Sequence, residues 1–413
     1  MLDTQTNSQD AEPELPFDLN PLRRSLLAGS ASAGVLALFR PAVALAQAPA
    51  APRPLPALAS FKDPGSMIVH SSSTIETRRA AMGLVVTPVN QLYVRNNLNP
   101  PDASVVAKPD AWQVQVEGVR RPATLTLAEL KKMPTETVTM VLQCSGNGRG
   151  YFPSKPSGTP WQTGAAGCVM WTGVPVKELA RRLGGVDRVA KFMTGTGGEV
   201  LPAGVDPKTR VERSVPVAAM EDALLAWELN GQPIPLAHGG PLRLIVPGYT
   251  GVNSVKYVKR LAFTEVESDA NIQQTNYRMT PSDEKAYRPS DPSVWQMQPK
   301  SFVTAPLPES GPLRAGRTRV EGLAFGGMHD VAKVDVSVDG GATWKPARLV
   351  GPDLGRYAWR RFEADVDLPA GEHVITSRMT DTRGTVQAEQ RIENKGGYMN
   401  SSWRDHAVKV TVA

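Results

Sequence analysis

Thr139-Met-Val-Leu-Gln-Cys-Ser-Gly-Asn-Gly-Arg-Gly-Tyr151 is the stretch around which the rest of the chain is organised. Thr139 to Gln143 reads as a short apolar strand, and Cys144 stands where it stops. Ser145-Gly-Asn-Gly148 then forces a loop, because glycine and asparagine tolerate backbone angles that other residues avoid. Arg149 follows close behind. A thiol at a strand end, beside a glycine loop and a fixed cation, is where a thiolate stays ionised. The plainer alternative is a small buried thiol with a surface arginine nearby. This stretch alone leaves both open.

Outward from it, a chain of 413 residues is too long for one ordinary domain. Lys and Arg number 46 against 40 Asp and Glu, and the net +6 is spread without a basic block. That pattern argues against nucleic-acid binding. The N-terminus reads as an address. Arg23-Arg24 precede a small, apolar run to Phe39, and Ala44-Leu-Ala46 is a small-x-small cleavage site. We read residues 1–46 as a twin-arginine signal peptide, which implies export to the periplasm. The apolar run is about a dozen residues, too short for stable membrane insertion. Residues 47–66 are Ala/Pro-rich and read as a linker or extended arm.

Cys144 and Cys168 are the only two cysteines, and we expect no disulfide between them. No Cys-x-x-Cys-His occurs, so no covalent c-type haem is expected. Thiolates are also too few to hold an iron–sulfur cluster.

Residues 67–292 mix short strands and short helices, an α+β pattern. Trp112–Glu117 alternates like a strand with one wet face, and Thr126 with Glu129 forms a capping-box signature. A turn into a helix is expected over Trp171–Leu183, a helix around Ala218–Leu225 and a strand over Ser254–Phe263. Asn230-Gly231 is a hairpin-type turn. Residues 265–292 lose periodicity and read as a long functional loop with Tyr277 at its middle. From about 293 to 413 the pattern changes. Val334, Val336 and Val338 alternate with polar residues, as do Phe362, Ala364, Val366 and Leu368. A further short strand is expected over Arg356–Arg360, and the spacing predicts an antiparallel β-sandwich.

Several segments together resemble the sulfite oxidase family of molybdenum enzymes, and within it the bacterial periplasmic sulfite dehydrogenases. They are Tyr93-Val-Arg-Asn-Asn-Leu98, Leu142-Gln-Cys-Ser-Gly-Asn-Gly-Arg149, Trp227-Glu-Leu-Asn-Gly-Gln-Pro233, His238-Gly-Gly-Pro-Leu-Arg-Leu-Ile-Val-Pro-Gly248 and Val336-Ser-Val-Asp-Gly-Gly-Ala-Thr-Trp344. The resemblance implies a sulfite-oxidase-like molybdopterin domain over 67–292 and an immunoglobulin-like dimerisation domain over 293–413. It implies a molybdenum–pyranopterin cofactor with Cys144 as the metal's protein ligand. Arg95, Arg149 and Tyr277 match the family's catalytic pocket, with Tyr249 as the reserve tyrosine. Asn96, Asn97, Ser145, His238, Arg243, Ser254, Val255 and Lys256 match cofactor-binding positions, and His238 and Arg243 resemble residues that hold the pterin phosphate.

The same resemblance implies oxidation of sulfite to sulfate, a homodimer, and electron transfer to a separate c-type cytochrome. The chemistry of the residues agrees, since soft thiolates suit such a metal and arginine forks suit a small oxyanion. Two departures stand out. Asn97 occupies a position where many family members have histidine, and Lys395-Gly396 lie where vertebrate members place an arginine. Lys395 could there supply a weaker point charge. Competing readings are a related molybdenum enzyme acting on sulfane sulfur, a sulfoxide or nitrate, and a non-catalytic secreted binding protein, which metal content discriminates.

Overall fold

A computed structural model describes residues 53–413; the expected signal peptide lies outside the described residues. The fold of the first part follows from the cysteine strand. Glu136–Gln143 pairs antiparallel with Ala166–Pro175, which pairs with Leu224–Leu229. Arg243–Ile245 and Gln232–Pro233 complete this five-stranded sheet, pairing with the first and last residues of Leu224–Leu229 along its other edge. A second five-stranded sheet runs in the order Ala123–Thr126, Gln113–Glu117, Arg260–Thr264, Phe192–Thr196, Glu212–Pro216, with one parallel pairing. Val114, Val116, Leu225, Leu244 and Leu261 share one buried cluster, so the two sheets pack on a common core.

The second part is a seven-stranded antiparallel sheet wrapped around its own core of Val320, Val334, Phe362, Val366 and Ile375. Alternation in Arg360–Leu368 places Phe362, Ala364, Val366 and Leu368 inward, whereas all four residues from Val334 to Ser337 are buried. The mixed α+β first domain and the β-sandwich second domain are those read from the pattern.

The cysteine strand departs from simple alternation because both its faces are covered. Met140 and Leu142 pack with Trp161, Trp171 and Ile245. Val141 packs the other way, with Cys168 of the neighbouring strand and with Met297, Phe302, Phe325 and Trp359 of the second domain. The Val141 amide also donates to the Tyr357 carbonyl at 2.8 Å. Each fully buried side chain of this size contributes roughly 1.5–3 kcal/mol, so the strand end is among the firmest parts of the molecule.

Local signals fared unevenly. The Thr126/Glu129 capping box forms on the helix Leu127–Leu130. Asn230 and Gly231 both take positive φ and join two paired strands. The helix expected around Ala218–Leu225 is only a 3₁₀ turn, Val217–Glu221. Leu224 onward is claimed by the central strand, which pairs on both sides. Trp171 to Pro175 is strand, and the helix begins at Val176. Of Ser254–Phe263, only Arg260–Thr264 is strand; the earlier residues curl through Tyr257 at φ 50° to place Lys256 in the site. Arg356 to Trp359 is not strand but a turn that reaches the first domain, where the Tyr357 hydroxyl donates to Asp222 at 2.8 Å. Residues 53–66, expected as linker or arm, form two 3₁₀ turns, with Ala59, Lys62 and Ser66 buried.

Glu76, on the strand Thr74–Thr77 of a small sheet with Met67–Ser71 and Val94–Arg95, ties that sheet to the site loop. Its carboxylate accepts from the amides of Gln162 and Gly164 at 2.8 and 2.9 Å and from His70 at 2.7 Å. A Cβ on Gly164 would lie 1.7 Å from the Thr77 carbonyl oxygen. Gly164→Ala is therefore expected to destabilise the protein by about 3 kcal/mol, since backbone rather than a flexible side chain must move. A denaturant titration checks this; a midpoint equal to wild type would show that the loop shifts freely.

Candidate active site and cofactor cradle

Cys144 ends its strand 8% exposed, its amide bonded to the Ala165 carbonyl at 2.9 Å. The Asn147 amide closes the turn onto the Cys144 carbonyl at 2.9 Å. The second domain holds this turn in place. Lys300 Nζ donates to Asn147 Oδ1 at 2.5 Å and to the Asn400 carbonyl at 2.8 Å, and Asn400 Nδ2 donates to the Gly148 carbonyl at 3.0 Å. Gly148 has φ 88°, and a Cβ there would meet Asn400 at 2.9 Å, so glycine is required.

A funnel of about 350 Å³ opens beside Cys144, lined by Arg95, Asn97, Arg149, Trp161, Tyr277 and Tyr398 among others. Arg149 is buried, its Nε donating to the Gly396 carbonyl at 2.8 Å and its Nη1 to the Thr159 carbonyl at 3.1 Å. Its guanidinium lies 5.2 Å from the Tyr398 ring centre. It threads a slot of glycines: Cβ atoms on Gly146, Gly158 and Gly397 would meet it at 2.6, 2.9 and 2.8 Å. Arg95 donates through Nη1 to the Asn96 carbonyl.

Tyr277 sits at φ 52° on its loop, its ring stacked on Tyr398 at 5.0 Å and lying 5.7 Å from the Arg213 guanidinium. Its hydroxyl donates to Asn97 Oδ1 at 3.3 Å. Tyr249, the reserve tyrosine, lies in the core of the first domain, outside the lining of the funnel.

Below the funnel is a second pocket, lined by Arg95, Asn96, Glu199, His238, Arg243, Ser254, Val255 and Lys256 along with Cys144 and Tyr277. Arg243 Nη1 donates to the His238 carbonyl at 2.9 Å and Nε to the Ser254 carbonyl at 3.1 Å. Lys256 Nζ donates to Asn96 Oδ1 at 2.6 Å and to the Ala237 carbonyl at 2.5 Å. Ser254 Oγ accepts from the Val246 amide at 3.2 Å.

Ser145 corrects an expectation for its side chain. Its hydroxyl is buried against Thr250 Oγ1 at 3.0 Å and does not line either pocket, because the turn carries it away from the cysteine side. Lys395 is likewise turned aside, donating to the Glu284 carbonyl at 3.0 Å. The structure brings the other predicted site residues together around the two pockets. It adds Lys62, Trp161, Glu199, Arg213 and Tyr398, none of which stood in a readable motif.

The electrostatics of the cradle are one-sided. Burial, then Lys62, Lys256 and Arg243, hold His238 well below its usual range. Burial, then Arg243, pushes Lys256 well down, and burial brings Arg243 to about 10. Lys62, donating to His238 at 2.7 Å, is pushed by burial to about 6. Glu199 is the one carboxylate in the lining of this pocket, and burial raises it to about 7. Its Oε2 and Asn96 Nδ2 have no protein partner. Buried cations without counter-charge are unfavourable unless an anion joins them.

Residues 101–272 match the oxidoreductase molybdopterin-binding domain and residues 291–413 the Mo-co oxidoreductase dimerisation domain. Sulfite oxidase of Gallus gallus is 32% identical over 335 residues, which cover 77% of this chain and 72% of that protein. The chain belongs to the sulfite oxidase family. The human mitochondrial sulfite oxidase is 31% identical over 79% of this chain, and the chain spans 62% of that protein. An inducible NADH nitrate reductase of Glycine max is 31% identical over 77% of the chain, with 39% of that longer protein covered. Among solved structures, the sulfane dehydrogenase SoxCD of Paracoccus pantotrophus superposes with a TM-score of 0.69 at 26% identity, covering 84% of this chain and 89% of that one.

The family cofactor is molybdenum on a molybdopterin, and the residues fit it. The cluster of His238, Arg243, Lys256 and Lys62, short of negative charge, suits a phosphate-bearing group. The partnerless amide of Asn96 and carboxylate oxygen of Glu199 suit a ring rich in donors and acceptors. Cys144 would supply a soft donor of the kind such a metal takes.

This imbalance predicts a pH dependence for the cofactor-free protein. Lys62 and Lys300, lowered by burial to about 6 and about 7, are deprotonated in the fold while the unfolded chain still holds those protons up to about 10.5. The unfolded state therefore binds more protons between pH 7 and 10, and stability rises with pH across that window. Glu199 acts oppositely, but its contribution is spent by about pH 7. The unfolding midpoint of the apoprotein should climb from pH 7 to 9.5, followed by circular dichroism. A falling midpoint would mean that the lysines stay charged in the fold.

Proposed function

We propose that this chain is a sulfite dehydrogenase that acts in the periplasm as a homodimer and passes electrons singly to a separate c-type cytochrome. The observation that carries this reading is the convergence of Arg95, Arg149 and the Tyr277 hydroxyl on one funnel beside Cys144. The overall change is SO₃²⁻ + H₂O → SO₄²⁻ + 2 H⁺ + 2 e⁻. When bound, the cofactor accepts the electron pair and delivers the water-derived oxygen. The chain's own residues do the rest.

Arg95 and Arg149 hold the oxyanion, since guanidinium forks match paired oxygens. Arg149 is held rigidly by two carbonyls and the glycine slot, so it requires little reorganisation when the anion arrives. Tyr277 directs its hydroxyl over the same space, fixed between Tyr398 and Arg213. Asn97 accepts the hydrogen bond of the Tyr277 hydroxyl and cannot titrate, so it does not itself take up protons released in turnover.

A second reading, oxidation of sulfane sulfur, is favoured by the likeness to the sulfane dehydrogenase. Purified loaded enzyme assayed with sulfite, thiosulfate, a sulfoxide and nitrate, with ferricyanide and cytochrome c as acceptors for the oxidations, separates these. Fast sulfite-dependent reduction of cytochrome c supports the proposal. Turnover with a sulfane-bearing substrate and none with sulfite overturns it.

A further inference from the structure

The N-terminal arm sends one side chain into the cofactor cradle. Leu55, Leu58 and Ala59 pack on Ala237, Met67, Ile75 and Val94, which anchors the arm to the turn that carries His238. Phe61 stays 40% exposed and lies edge-on to the His238 ring at 6.0 Å, while the next side chain, Lys62, is 3% exposed. Lys62 Nζ has three acceptors: the Leu92 carbonyl at 2.6 Å, the Val89 carbonyl, and His238 Nε2 at 2.7 Å. Protonated, the amine has three N–H donors, one for each of these acceptors. In that form the lone pair on His238 Nε2 is engaged and the ring proton sits on Nδ1.

A protonated Lys62 has no partner for its charge: among the described residues no carboxylate lies within ion-pair distance. Its nearby charges are those of the cradle, where Glu199 is the one acid against His238, Arg243 and Lys256.

We propose that Lys62 is a positioning residue of the cofactor site, acting through His238, and that docking of the arm and retention of the cofactor favour each other. This rests on the family's cofactor and is independent of which substrate is oxidised. Without the cofactor, docking the arm strips the Lys62 amine of its proton near neutral pH, a cost that opposes docking. An anionic group in the cradle beyond the imidazole favours the protonated amine, whose donation to Nε2 then holds His238 in one orientation toward it. By linkage, whatever favours arm closure on the cofactor must also slow the cofactor's loss.

The test compares Lys62→Met with wild type. Methionine fills a similar volume and removes the charge and the donors. Pterin release from loaded enzyme is followed by the fluorescence of the freed, oxidised pterin, and unfolding midpoints are measured on the apoproteins. Release is expected to be at least about tenfold faster, as for loss of a group that orients a ligand's holder. The apoprotein midpoint should be little changed, because relief of the buried amine offsets the donors lost to the Leu92 and Val89 carbonyls. A residue that merely braces the fold would lower both together, and that result, or an unchanged release rate, overturns the proposal. Wild-type protein supplies a second measurement, chymotryptic cleavage after Phe61. Cleavage should be at least about tenfold slower in the loaded enzyme than in the apoprotein; equal rates would show that arm and cofactor are uncoupled.

Discussion

Cys144→Ser is expected to lower molybdenum-dependent turnover by at least about a thousandfold, roughly 4 kcal/mol in transition-state terms, while leaving the fold intact. Serine is smaller than cysteine, so it creates no overlap at a position whose backbone is already fixed by Ala165 and Asn147. The loss is one of donor chemistry. A hydroxyl does not ionise near neutral pH and is a hard ligand where a soft thiolate is needed. Cys168→Ser is the internal control. Cys168 lies in the neighbouring strand opposite Val141, fully buried, and burial lifts its thiol to about 12, so it is no thiolate. Its replacement should cost about 1–3 kcal/mol of stability through a buried hydroxyl, and should spare turnover per metal. Metal analysis, sulfite-dependent acceptor reduction and thermal unfolding on both variants decide the matter. Turnover within tenfold of wild type in Cys144→Ser would exclude the cysteine as the essential ligand.

The two cysteines also indicate what the sequence could disclose. Cys144 was legible because local chemistry marked it: a strand end, a glycine loop and a nearby arginine. Cys168 lay in a strand with no such signal. His238, Arg243 and Lys256 were legible through an ordered motif, although the backbone that presents Lys256 is irregular where a strand was expected. The helix expected around Ala218 failed because strand pairing at Leu224 outweighs local preference. The missed residues share one feature, that their role exists only in three dimensions. Lys62 comes from an Ala/Pro-rich arm without periodicity. Gly396 supplies the carbonyl for Arg149 from 247 residues away. Tyr398 and Arg213 act by flanking the Tyr277 ring, a contact that no spacing encodes. Vertebrate relatives were expected to place an arginine near Lys395, yet here that segment contributes backbone and an aromatic ring to the pocket.

That segment makes Arg149→Met the second variant with a large effect, because it is expected to damage binding and interdomain packing at once. The guanidinium touches the substrate funnel, the Thr159 carbonyl of the first domain and the Gly396 carbonyl of the second. Methionine can occupy the glycine slot but cannot donate. Loss of a charge-assisted fork to the oxyanion should reduce kcat/KM for sulfite by about 10²–10³-fold, chiefly through KM, since the interaction exists already in the bound ground state. Two carbonyls left without donors should lower stability by about 2 kcal/mol. Arg95→Met separates the two effects. Arg95 is only half-buried and bonds to its own neighbour Asn96, so its loss should weaken substrate binding with little change in unfolding midpoint. Gly158→Ala approaches the same point from the other side, as the added methyl would sit 2.9 Å from Arg149 Nη1 and displace an intact guanidinium. It should raise KM while retaining the charge. If Arg149→Met instead keeps kcat/KM within fivefold of wild type, the guanidinium is a structural tie between domains, and oxyanion binding must rest on Arg95 and Tyr277.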